Sequence, residues 1–516
     1  PAASRSAASE GAAALEGPAF EDIGADSGLD FSYRNGRSGA LYLGEIMGGG
    51  AALLDYDGDG DLDLFLAQGR PLRAKDAAPA PGASLLPGGP DPAAPEGDLA
   101  WRDRLYRNDG LVDGRLRFSD VTEAAGIVEA DYGVGALAGD YDGDGWTDLY
   151  VLNWGPNRLW RNRGDGRFED VTAASGAGDE RWSAAASFLD YDRDGHLDLF
   201  IANYLDFDYG KHHDCFNADG SVDYCGPKAY SPARDRLLRG RGDGTFEDVT
   251  EAMGLLAADG PGLASLAADL NEDGWTDLYV ANDQEPNLLW LNEGGERFRS
   301  AGLESGLAVD AQGRSQASMG ISPLDAEGDG DLDLFVTNLK TEYNTLYLAQ
   351  GGGLFEDRTA DQPLGRDTLP YTSFGTCALD LQADGWPDLV TANGAVIFEP
   401  EQVAAGDDYP LKQANQLLLN LGDGRFMDAA DLAGAAFSTP NVGRGLACGD
   451  LDNDGDRDLV LTRNEGPPLV LLNVAADGKP WLGLSLLDAA GQEPVGATVT
   501  LAGPEGAPAA GGRQLL

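Results

Sequence analysis

The chain has 516 residues, and 42% of them are hydrophobic, so it can bury a large core. It carries 87 acidic residues against 36 Lys and Arg, which gives a formal net charge of −51. A surface this negative excludes nucleic acid and anionic membranes as natural partners. The sequence contains no apolar run long enough to cross a bilayer, so we also expect no direct membrane insertion.

The N-terminal stretch has no hydrophobic periodicity. Residues 1–16 are rich in Ala and Ser, which predicts a flexible tail. The chain begins at Pro1 rather than Met, so we expect that a signal peptide has already been removed. No Asn-x-Ser/Thr sequon occurs, which favours a bacterial source over a eukaryotic secretory one.

A nine-residue acidic segment, DYDGDGDLD at 55–63, organises the sequence. It recurs six more times, starting at residues 140, 190, 269, 325, 380 and 450. Positions 1, 5 and 9 are always Asp and position 6 is always Gly. Ca²⁺ prefers six to eight oxygen ligands, and several are usually carboxylate. A solvated acidic turn would explain a single copy, but seven copies with invariant positions indicate calcium loops.

Each loop offers five candidate ligands. Positions 1, 3, 5 and 9 offer side-chain oxygens, and Gly at position 6 permits the backbone to reverse. Position 7 is Trp in three loops, so we expect its backbone carbonyl to be the ligand. Position 3 is Gln382 in loop 6, so this loop (380–388) is expected to be the weakest of up to seven Ca²⁺ sites. The candidate ligands are Asp55, Asp57, Asp59, Asp61 and Asp63 in loop 1; Asp140, Asp142, Asp144, Trp146 and Asp148 in loop 2; Asp190, Asp192, Asp194, His196 and Asp198 in loop 3; Asp269, Asn271, Asp273, Trp275 and Asp277 in loop 4; Asp325, Glu327, Asp329, Asp331 and Asp333 in loop 5; Asp380, Gln382, Asp384, Trp386 and Asp388 in loop 6; and Asp450, Asp452, Asp454, Asp456 and Asp458 in loop 7.

Each loop lies within a larger repeated unit of four predicted strands. Strand A is rich in small residues and precedes the loop, whereas strand B follows the loop and is apolar. Strand C contains Asn-x-Leu-x-x-Asn or a relative, and a Gly-Asp-Gly turn connects it to a Phe-x-Asp strand D. Radial repetition of four-stranded sheets produces a β-propeller. We therefore predict an all-β fold, a seven-bladed propeller over 17–473.

The two ends of the repeat complement each other. The first Phe-x-Asp strand, within 18–23, has no strand C before it, and the last unit, within 442–473, has no Phe-x-Asp strand after it. We therefore expect these N- and C-terminal strands to pair and close the ring, which hides two sheet edges.

Three insertions distinguish one face of the predicted propeller. Strand directions place the metal loops and Gly-Asp-Gly turns on one face, and insertions 69–101, 204–233 and 394–414 on the other. Elaborated loops on a rigid scaffold usually carry binding, so a protein partner is expected on this insertion face. Any single aromatic there has the alternative role of packing its own loop. The candidate anchors are Trp101, Tyr204, Phe207, Tyr209, Phe216, Phe398 and Tyr409.

Four cysteines indicate the compartment. Cys215 and Cys225 bracket a short polar loop and are expected to form a disulfide in an oxidising environment. Cys377 and Cys448 lie in strands of small residues, and we expect buried free thiols there. Localisation is accordingly extracellular, periplasmic or at the cell surface. His212 and His213 could bind a transition metal, but an exposed polar loop is the simpler interpretation.

The repeats resemble the FG-GAP/VCBS family, whose propellers include the head of integrin α chains. The succession N-x-L-x-x-N, GDG-x-F-x-D-V-T and D-x-D-x-D-G-x-x-D-L is most similar to the cartilage-acidic-protein-like branch. That branch often carries a C-terminal ASPIC/UnbV segment. Predicted strands at 481–486 and 495–501 look like the start of one, so 474–516 is interpreted as a partial ASPIC/UnbV-like β segment. The resemblance implies an extracellular binding or adhesion module.

These observations lead to one main functional hypothesis and two alternatives. The main hypothesis is a secreted or surface calcium-binding propeller that acts as a protein-binding, adhesion or assembly scaffold, and not as an enzyme. A carbohydrate-binding propeller is the alternative, and it would show repeated aromatic pockets; Tyr132, Trp182 and Tyr371 occupy comparable D–A connections. A calcium-dependent polysaccharide-active enzyme is less favoured, because three histidines offer no Ser-His-Asp set. The two Arg-Gly-Asp tripeptides, at 163–165 and 241–243, fall in repeated turns and are interpreted as coincidence.

Overall fold

The computed structural model describes residues 18–72, 98–128, 131–217, 220–476, 478–484, 486, 498–499 and 514–515. The predicted tail at 1–16 and most of the first insertion lie outside these residues. Seven antiparallel four-stranded sheets follow one another along the chain. The predicted seven-bladed propeller is therefore confirmed.

Each blade contains strands A to D, and the acidic loop joins A to B. In that order the strands are Ala51–Leu54, Asp63–Leu66, Arg104–Val112 and Arg115–Asp120 in blade 1; Gly133–Gly139, Asp148–Asn153, Arg158–Asn162 and Phe168–Asp170 in blade 2; Ser183–Leu189, Asp198–Asn203, Arg236–Gly240 and Phe246–Asp248 in blade 3; Gly262–Ala268, Asp277–Asn282, Leu288–Asn292 and Phe298–Ser300 in blade 4; Gly320–Leu324, Asp333–Thr337, Thr345–Ala349 and Phe355–Asp357 in blade 5; Ser373–Leu379, Asp388–Asn393, Gln416–Asn420 and Phe426–Asp428 in blade 6; and Gly443–Gly449, Asp458–Arg463, Leu469–Asn473 and Phe20–Asp22 in blade 7.

Short helices lie in the connections. The α-helices are Thr122–Ala125, Thr172–Ser175, Gly302–Ser305, Pro363–Asp367, Pro400–Ala404, Ala430–Ala433 and Ala435–Ser438; the 3₁₀ turns are Leu43–Ile46, Asp98–Trp101, Tyr209–Lys211, Pro227–Ala229, Leu255–Ala257 and Thr359–Asp361. Within the described part of the chain, no helix has the length and apolar character needed to span a membrane.

The ring closes as the sequence predicts. Strand Phe20–Asp22 pairs antiparallel with Leu469–Asn473, with Phe20 opposite Asn473 and Asp22 opposite Leu471. The N–H of Val474 also donates to the carbonyl of Ala19 at 2.9 Å. The first and last segments of the propeller thus complete one blade.

The core is divided among the blade interfaces. Strands A of neighbouring blades contact one another, and their small side chains permit that crowding. Strands B are buried on both faces, so they are apolar throughout. One hydrophobic cluster lies between each pair of consecutive blades. This arrangement holds the metal loops at fixed positions around one face.

Two sequence-based expectations about cysteine and the C-terminus need correction. Cys377 and Cys448 form a disulfide rather than free thiols. They lie on strands A of blades 6 and 7, whose side-by-side packing brings the Cα atoms to 6.6 Å despite a separation of 71 residues. Residues 481–484 form no strand, whereas Thr498–Val499 pairs with Gln514–Leu515.

Candidate metal loops and the insertion face

The seven acidic loops share one backbone conformation that the position 1 carboxylate organises. In every loop this Asp accepts hydrogen bonds from the N–H groups of positions 5 and 6, at 2.8–3.1 Å. The position 5 carboxylate in turn accepts from the N–H of position 7, for example Trp146 to Asp144 at 3.1 Å. Asp is required at both positions because its short side chain reaches its own backbone.

Two positions of each loop adopt a left-handed conformation, and the sequence indicated only one of them. Position 6 has φ of +85° to +98° and is always Gly. Position 4 has φ of +46° to +77° and is occupied by Gly, Arg193, Glu272, Ala383 or Asn453. An L-residue at such a φ costs about 1–2 kcal/mol. The fold tolerates this cost at position 4, so the residue type there varies among the loops. For that reason the left-handed conformation of position 4 was not predicted from the sequence.

The position 9 carboxylate links the loop to strand C. Its Oδ1 accepts from a strand C N–H in all seven blades, at 2.7–2.9 Å; the donor is Asn108 within the longer strand C of blade 1 and the last residue of strand C in the other six. Its Oδ2 accepts from the N–H of position 2 in loops 1 to 5 and 7, at 2.8–3.1 Å. This Asp is therefore held rigidly at the floor of the loop.

Position 3 supplies the clearest sign that a cation fits. The Oδ1 atoms of Asp57, Asp142 and Asp192 are buried and have no hydrogen-bond partner. A buried carboxylate oxygen without a donor is costly. Carboxylate oxygens of three positions also lie within 4.8 Å of one another in loops 1, 2, 3 and 7. A hard cation bound among these oxygens would satisfy them.

Burial of so many carboxylates changes their proton affinity. Desolvation raises the pKa of every position 9 Asp above its usual value. The raised pKa is about 7 for Asp63, Asp277, Asp333 and Asp458, about 8 for Asp148 and Asp198, and well above normal for Asp388. Negative charge at these floors is thus unfavourable unless a cation neutralises it.

The position 7 tryptophans Trp146 and Trp275 contact residues of neighbouring loops or turns. A Cβ on Gly58 of loop 1 would lie 2.8 Å from the Trp146 ring, and one on Gly164 would lie 2.4 Å from it. The guanidinium of Arg193 in loop 3 stacks on Trp275 of loop 4, 4.2 Å from the ring centroid. This packing is consistent with a carbonyl ligand at position 7. In loop 7 the Asp456 carboxylate has a buried oxygen without a partner and a pKa raised to about 8 by burial.

A strand C asparagine bridges consecutive loops in five of the seven blades; it ends the strand in four of them and lies within the longer strand C of blade 1. The Asn162 Nδ2 donates at 2.8 Å to the position 2 carbonyl of loop 1, that of Tyr56. The Asn162 backbone N–H holds the floor carboxylate of loop 2, that of Asp148. Equivalent bonds join Asn108 to Leu451, Asn292 to Tyr191, Asn420 to Ala326 and Asn473 to Leu381. The sequence shows this Asn within its strand C motif, but only the structure shows the bridge.

The bridge is missing at two places. Strand C ends at Gly240 in blade 3 and at Ala349 in blade 5, and neither side chain can donate. The hydrogen-bonded series of loops therefore runs 5-6-7-1-2, and loops 3 and 4 form a separate pair.

Loop 6 differs from the others in a second way beyond Gln382. The Nζ of Lys479, which follows the last blade, donates to the carbonyls of Gln382 and Ala383. Its positive charge also lowers the pKa of Asp380, which burial raises overall. Loop 6 thus has fewer acidic groups and an ammonium group at its rim.

The opposite face is closed at the axis by residues 40–47, which we call the axial plug. They belong to the connection between strand D of blade 7 and strand A of blade 1, and include the 3₁₀ turn Leu43–Ile46. Around them pack buried residues from blades 2, 3, 6 and 7. Only a position on the axis can contact blades so far apart in the ring. Residues 40–47 contain no repeated motif, so their role was not predicted from the sequence.

Glu45 is the buried acid of the axial plug. Its Oε1 accepts from the N–H and hydroxyl of Ser38 at 2.9 Å, and its Oε2 from the Tyr224 hydroxyl at 3.1 Å. Burial raises the pKa of Glu45 to about 7. Arg444 is also fully buried and donates to the carbonyl of Ile46 at 2.6 Å. The plug is thus fixed by polar contacts as well as by aromatic packing.

The second and third insertions meet beside the plug. The predicted disulfide between Cys215 and Cys225 is present and adjoins a hairpin of Cys215–Phe216 and Val222–Asp223. The N–H of Phe398 donates to Asp223 Oδ2 at 3.2 Å, and the rings of Tyr224 and Phe398 lie 5.5 Å apart. These two insertions form one continuous surface.

Most candidate anchors on this face are internal. Trp101, Tyr204, Phe207 and Tyr409 are buried, so they pack their own loops and cannot contact a partner first. Phe398 is partly buried, and the side chain of Tyr209 lies outside the described atoms. Phe216 alone among the described candidates is exposed, with 64% of its surface accessible. Exposed Ile397 and Val403 of the third insertion were missed because neither is aromatic.

The structure also shows the surroundings of the two histidines in the second insertion and of the two Arg-Gly-Asp tripeptides. His213 lies near Cys215 and Cys225, but both sulfur atoms are in the disulfide, so no thiolate is available to a transition metal. His212 packs edge-on against Tyr42 at 4.7 Å. Both Arg-Gly-Asp tripeptides occupy C–D hairpin turns, with Gly164 and Gly242 at φ near +67° and +68°.

The fold and the loops together define a seven-bladed propeller with an acidic loop in every blade. Models of the FG-GAP-like repeat match residues 93–151, 140–201, 216–280, 269–336 and 325–391, which together cover more than half of the chain. The chain therefore belongs to the FG-GAP-like repeat family, and the resemblance seen in the sequence is confirmed.

Similar proteins include cartilage acidic protein 1 from three vertebrates. Identity is 27% over 184 residues for Homo sapiens, 26% over 184 for Mus musculus and 24% over 187 for Xenopus tropicalis. The match covers 33% of this chain and 26%, 27% and 26% of those relatives. The chain thus matches about a quarter of their length.

Comparison with solved structures gives matches of low identity and low TM-score. A lectin from Agrocybe aegerita, described as recognising non-reducing terminal N-acetylglucosamine, has a TM-score of 0.40 and 17% identity over 73% of this chain and 89% of its own. BBS1N in complex with ARL6DN has a TM-score of 0.41 and 9% identity over 89% of this chain and 99% of its own. No functional inference follows from scores this low.

Proposed function

We propose that the chain is an extracellular calcium-stabilised propeller that binds a protein partner through its second and third insertions. Two disulfides support an oxidising compartment, since thiols stay reduced in the cytosol. The family assignment supports a binding scaffold, and no catalytic role is proposed.

Calcium is proposed to occupy the loops. Side-chain oxygens of positions 1, 3, 5 and 9 and the position 7 carbonyl would hold it, with all 35 residues predicted from the sequence taking part. The observation that supports this is the buried, partnerless Oδ1 of Asp57, Asp142 and Asp192. The ion would supply positive charge to desolvated carboxylates and would fix neighbouring blades relative to each other.

The insertion face is proposed as the recognition surface. The observation that carries this proposal is the exposure of Phe216, Ile397 and Val403 (64%, 48% and 39%) on two insertions that contact each other. Exposed apolar side chains that share one surface favour a protein interface. A glycan-binding propeller is supported less, because two of its three candidate aromatics, Tyr132 and Trp182, are buried around the plug, and only Tyr371 is partly exposed.

Crosslinking from single positions tests the recognition surface. A photoreactive residue at position 216 should crosslink a discrete partner from the extracellular fraction of the native source. A matched residue at position 354 should not, since Leu354 is 54% exposed in a C–D turn on the loop face. The Phe216→Asp variant should lose the partner and keep its melting temperature. Equal crosslinking from position 354, or full binding by Phe216→Asp, would refute the proposal.

A further inference from the structure

A cavity of about 440 Å³ opens on the insertion face near the axial plug. Four segments line it: residues 32–37, residues 408–412 of the third insertion, residues 440–442 and the B–C turn at 463–467. It is separate from every calcium loop, since those lie on the opposite face. Its volume lies within the range of small-ligand pockets, about 300–1,000 Å³.

The residues that line this cavity include more cationic than acidic groups, in a molecule that is strongly acidic as a whole. Arg34, Arg37, Lys412 and Arg463 line it, against the acidic residues Asp408 and Glu465. Arg37 pairs with Asp408 at 3.5 Å, and Lys412 pairs with Asp407 at 2.7 Å. Arg463 directs its Nε to the carbonyl of Pro467 at 2.6 Å and not to a carboxylate. In a chain of net charge −51, a local excess of guanidinium groups favours an anion, and guanidinium geometry matches a carboxylate.

Polar atoms in the cavity wall lack partners. Asn441 Oδ1, Asn464 Oδ1 and Arg37 Nε are buried and have no hydrogen-bond partner. Each such atom costs about 1–3 kcal/mol, and these three belong to residues that line one cavity. Both amide oxygens are acceptors, so hydroxyl donors of a bound molecule would satisfy them. A simple carboxylate such as acetate has no such donors.

We propose that this cavity binds a small carboxylate that also carries several hydroxyl groups, the chemistry of a hexuronate. The arginines bind the carboxylate, and the carbonyl oxygens of Asn441 and Asn464 accept from ring hydroxyls. The ligand site is independent of the protein partner proposed above, because Phe216 and Val403 do not line it.

Titration of the full calcium-loaded chain with three matched probes tests this proposal. D-glucuronate carries both features, D-glucose lacks the carboxylate and lactate lacks the ring hydroxyls. Saturation-transfer NMR and calorimetry should show glucuronate binding at least about tenfold tighter than either of the others, a difference of about 1.4 kcal/mol.

Arg463→Gln should weaken glucuronate binding by at least about tenfold. Arg366→Gln is the matched control, since Arg366 is 80% exposed, outside the cavity and paired with its neighbour Asp367; it should change nothing.

Several results would overturn the proposal. They are no glucuronate binding up to roughly 10 mM, equal affinity for glucose, equal affinity for lactate, or equal losses in the two arginine variants. If Arg463→Gln fails to fold, the comparison of the three probes on the native sequence still decides. Loss of the protein partner in Phe216→Asp would leave glucuronate binding unchanged.

Discussion

The two faces of the propeller differ in how far their structure repeats and in the charged groups that they carry. The loop face repeats one conformation seven times and concentrates carboxylates there, some of which pair with Arg161 and Arg239 while others have buried oxygens without a partner. The insertion face has no such repeat. The axial plug closes it at the centre, and the second insertion, which contains a disulfide, contacts the third insertion beside the plug. This face also contains the cavity lined by arginines. Repetition suits a structural ion, and a unique surface suits recognition. The following predictions test that division, beginning with the largest effect.

Removal of calcium should destabilise the molecule more than any single substitution. At a calcium concentration tenfold above the Kd, each site contributes about 1.4 kcal/mol, so seven contribute roughly 10 kcal/mol. The melting temperature should fall sharply in excess chelator and return when calcium is added back. An unchanged melting temperature in excess chelator would contradict this account, because the loop face would then be stable without calcium.

Loss of the Cys377–Cys448 disulfide should be the next largest effect. It closes a loop of 71 residues across blades 6 and 7, which corresponds to about 4 kcal/mol by the chain-entropy model. The double Cys→Ala variant should unfold at lower denaturant concentration with its calcium content unchanged. The matched variant without Cys215 and Cys225 should lose less, about 3 kcal/mol for a separation of 10 residues. The opposite ranking would contradict this.

Glu45 should give the insertion face its own contribution to the pH dependence of stability. Its pKa is raised from 4.5 to about 7 in the folded state by burial, so folding favours the protonated form. Its contribution is present below pH 4.5 and is lost as pH rises through about 7. In saturating calcium, Glu45→Gln should gain stability relative to the native sequence between pH 5 and pH 8, by about 3 kcal/mol. The exposed Glu21→Gln variant should show no such gain, and a flat difference for Glu45→Gln would contradict the account.

The smallest expected effect concerns the coupling between loops. Asn162→Ala leaves the carbonyl of Tyr56 without its donor, which should cost about 1–3 kcal/mol. Because Asn162 contacts loops 1 and 2 together, calcium affinity should fall in both. The reciprocal variant Ala349→Asn should add a bridge between loops 4 and 5 and strengthen both. A change confined to one loop in either variant would show that the bridge does not couple them.

Local chemistry made the loop face predictable from the sequence. Invariant Asp and Gly at fixed spacing indicated the loops, and alternating strand types indicated seven blades and their closure. The left-handed position 4 was missed because Arg193 and Glu272 can occupy it at moderate cost. The strand C asparagines were visible as a motif, but the bond between Asn162 and the carbonyl of Tyr56 joins different blades.

The insertion face was predictable only in outline. The position of the three insertions followed from strand direction, whereas the packing of Tyr204 and Tyr409 around the plug depends on contacts between distant blades. The Cys377–Cys448 disulfide was not predicted for the same reason, since it joins residues that are 71 positions apart and lie in different blades. Sequence pattern reports periodicity within a segment, and it carries little information on which segments meet at the axis.

The number of calcium ions bound per chain tests the central claim most directly. Equilibrium dialysis against increasing calcium, followed by elemental analysis, should approach seven ions per chain, with the last one to bind assigned to loop 6. Asp388→Asn should remove that last ion, and Asp148→Asn should remove one of the earlier ones. Saturation at none or one, or an unchanged count in Asp148→Asn, would contradict the assignment of the repeated loops as calcium sites.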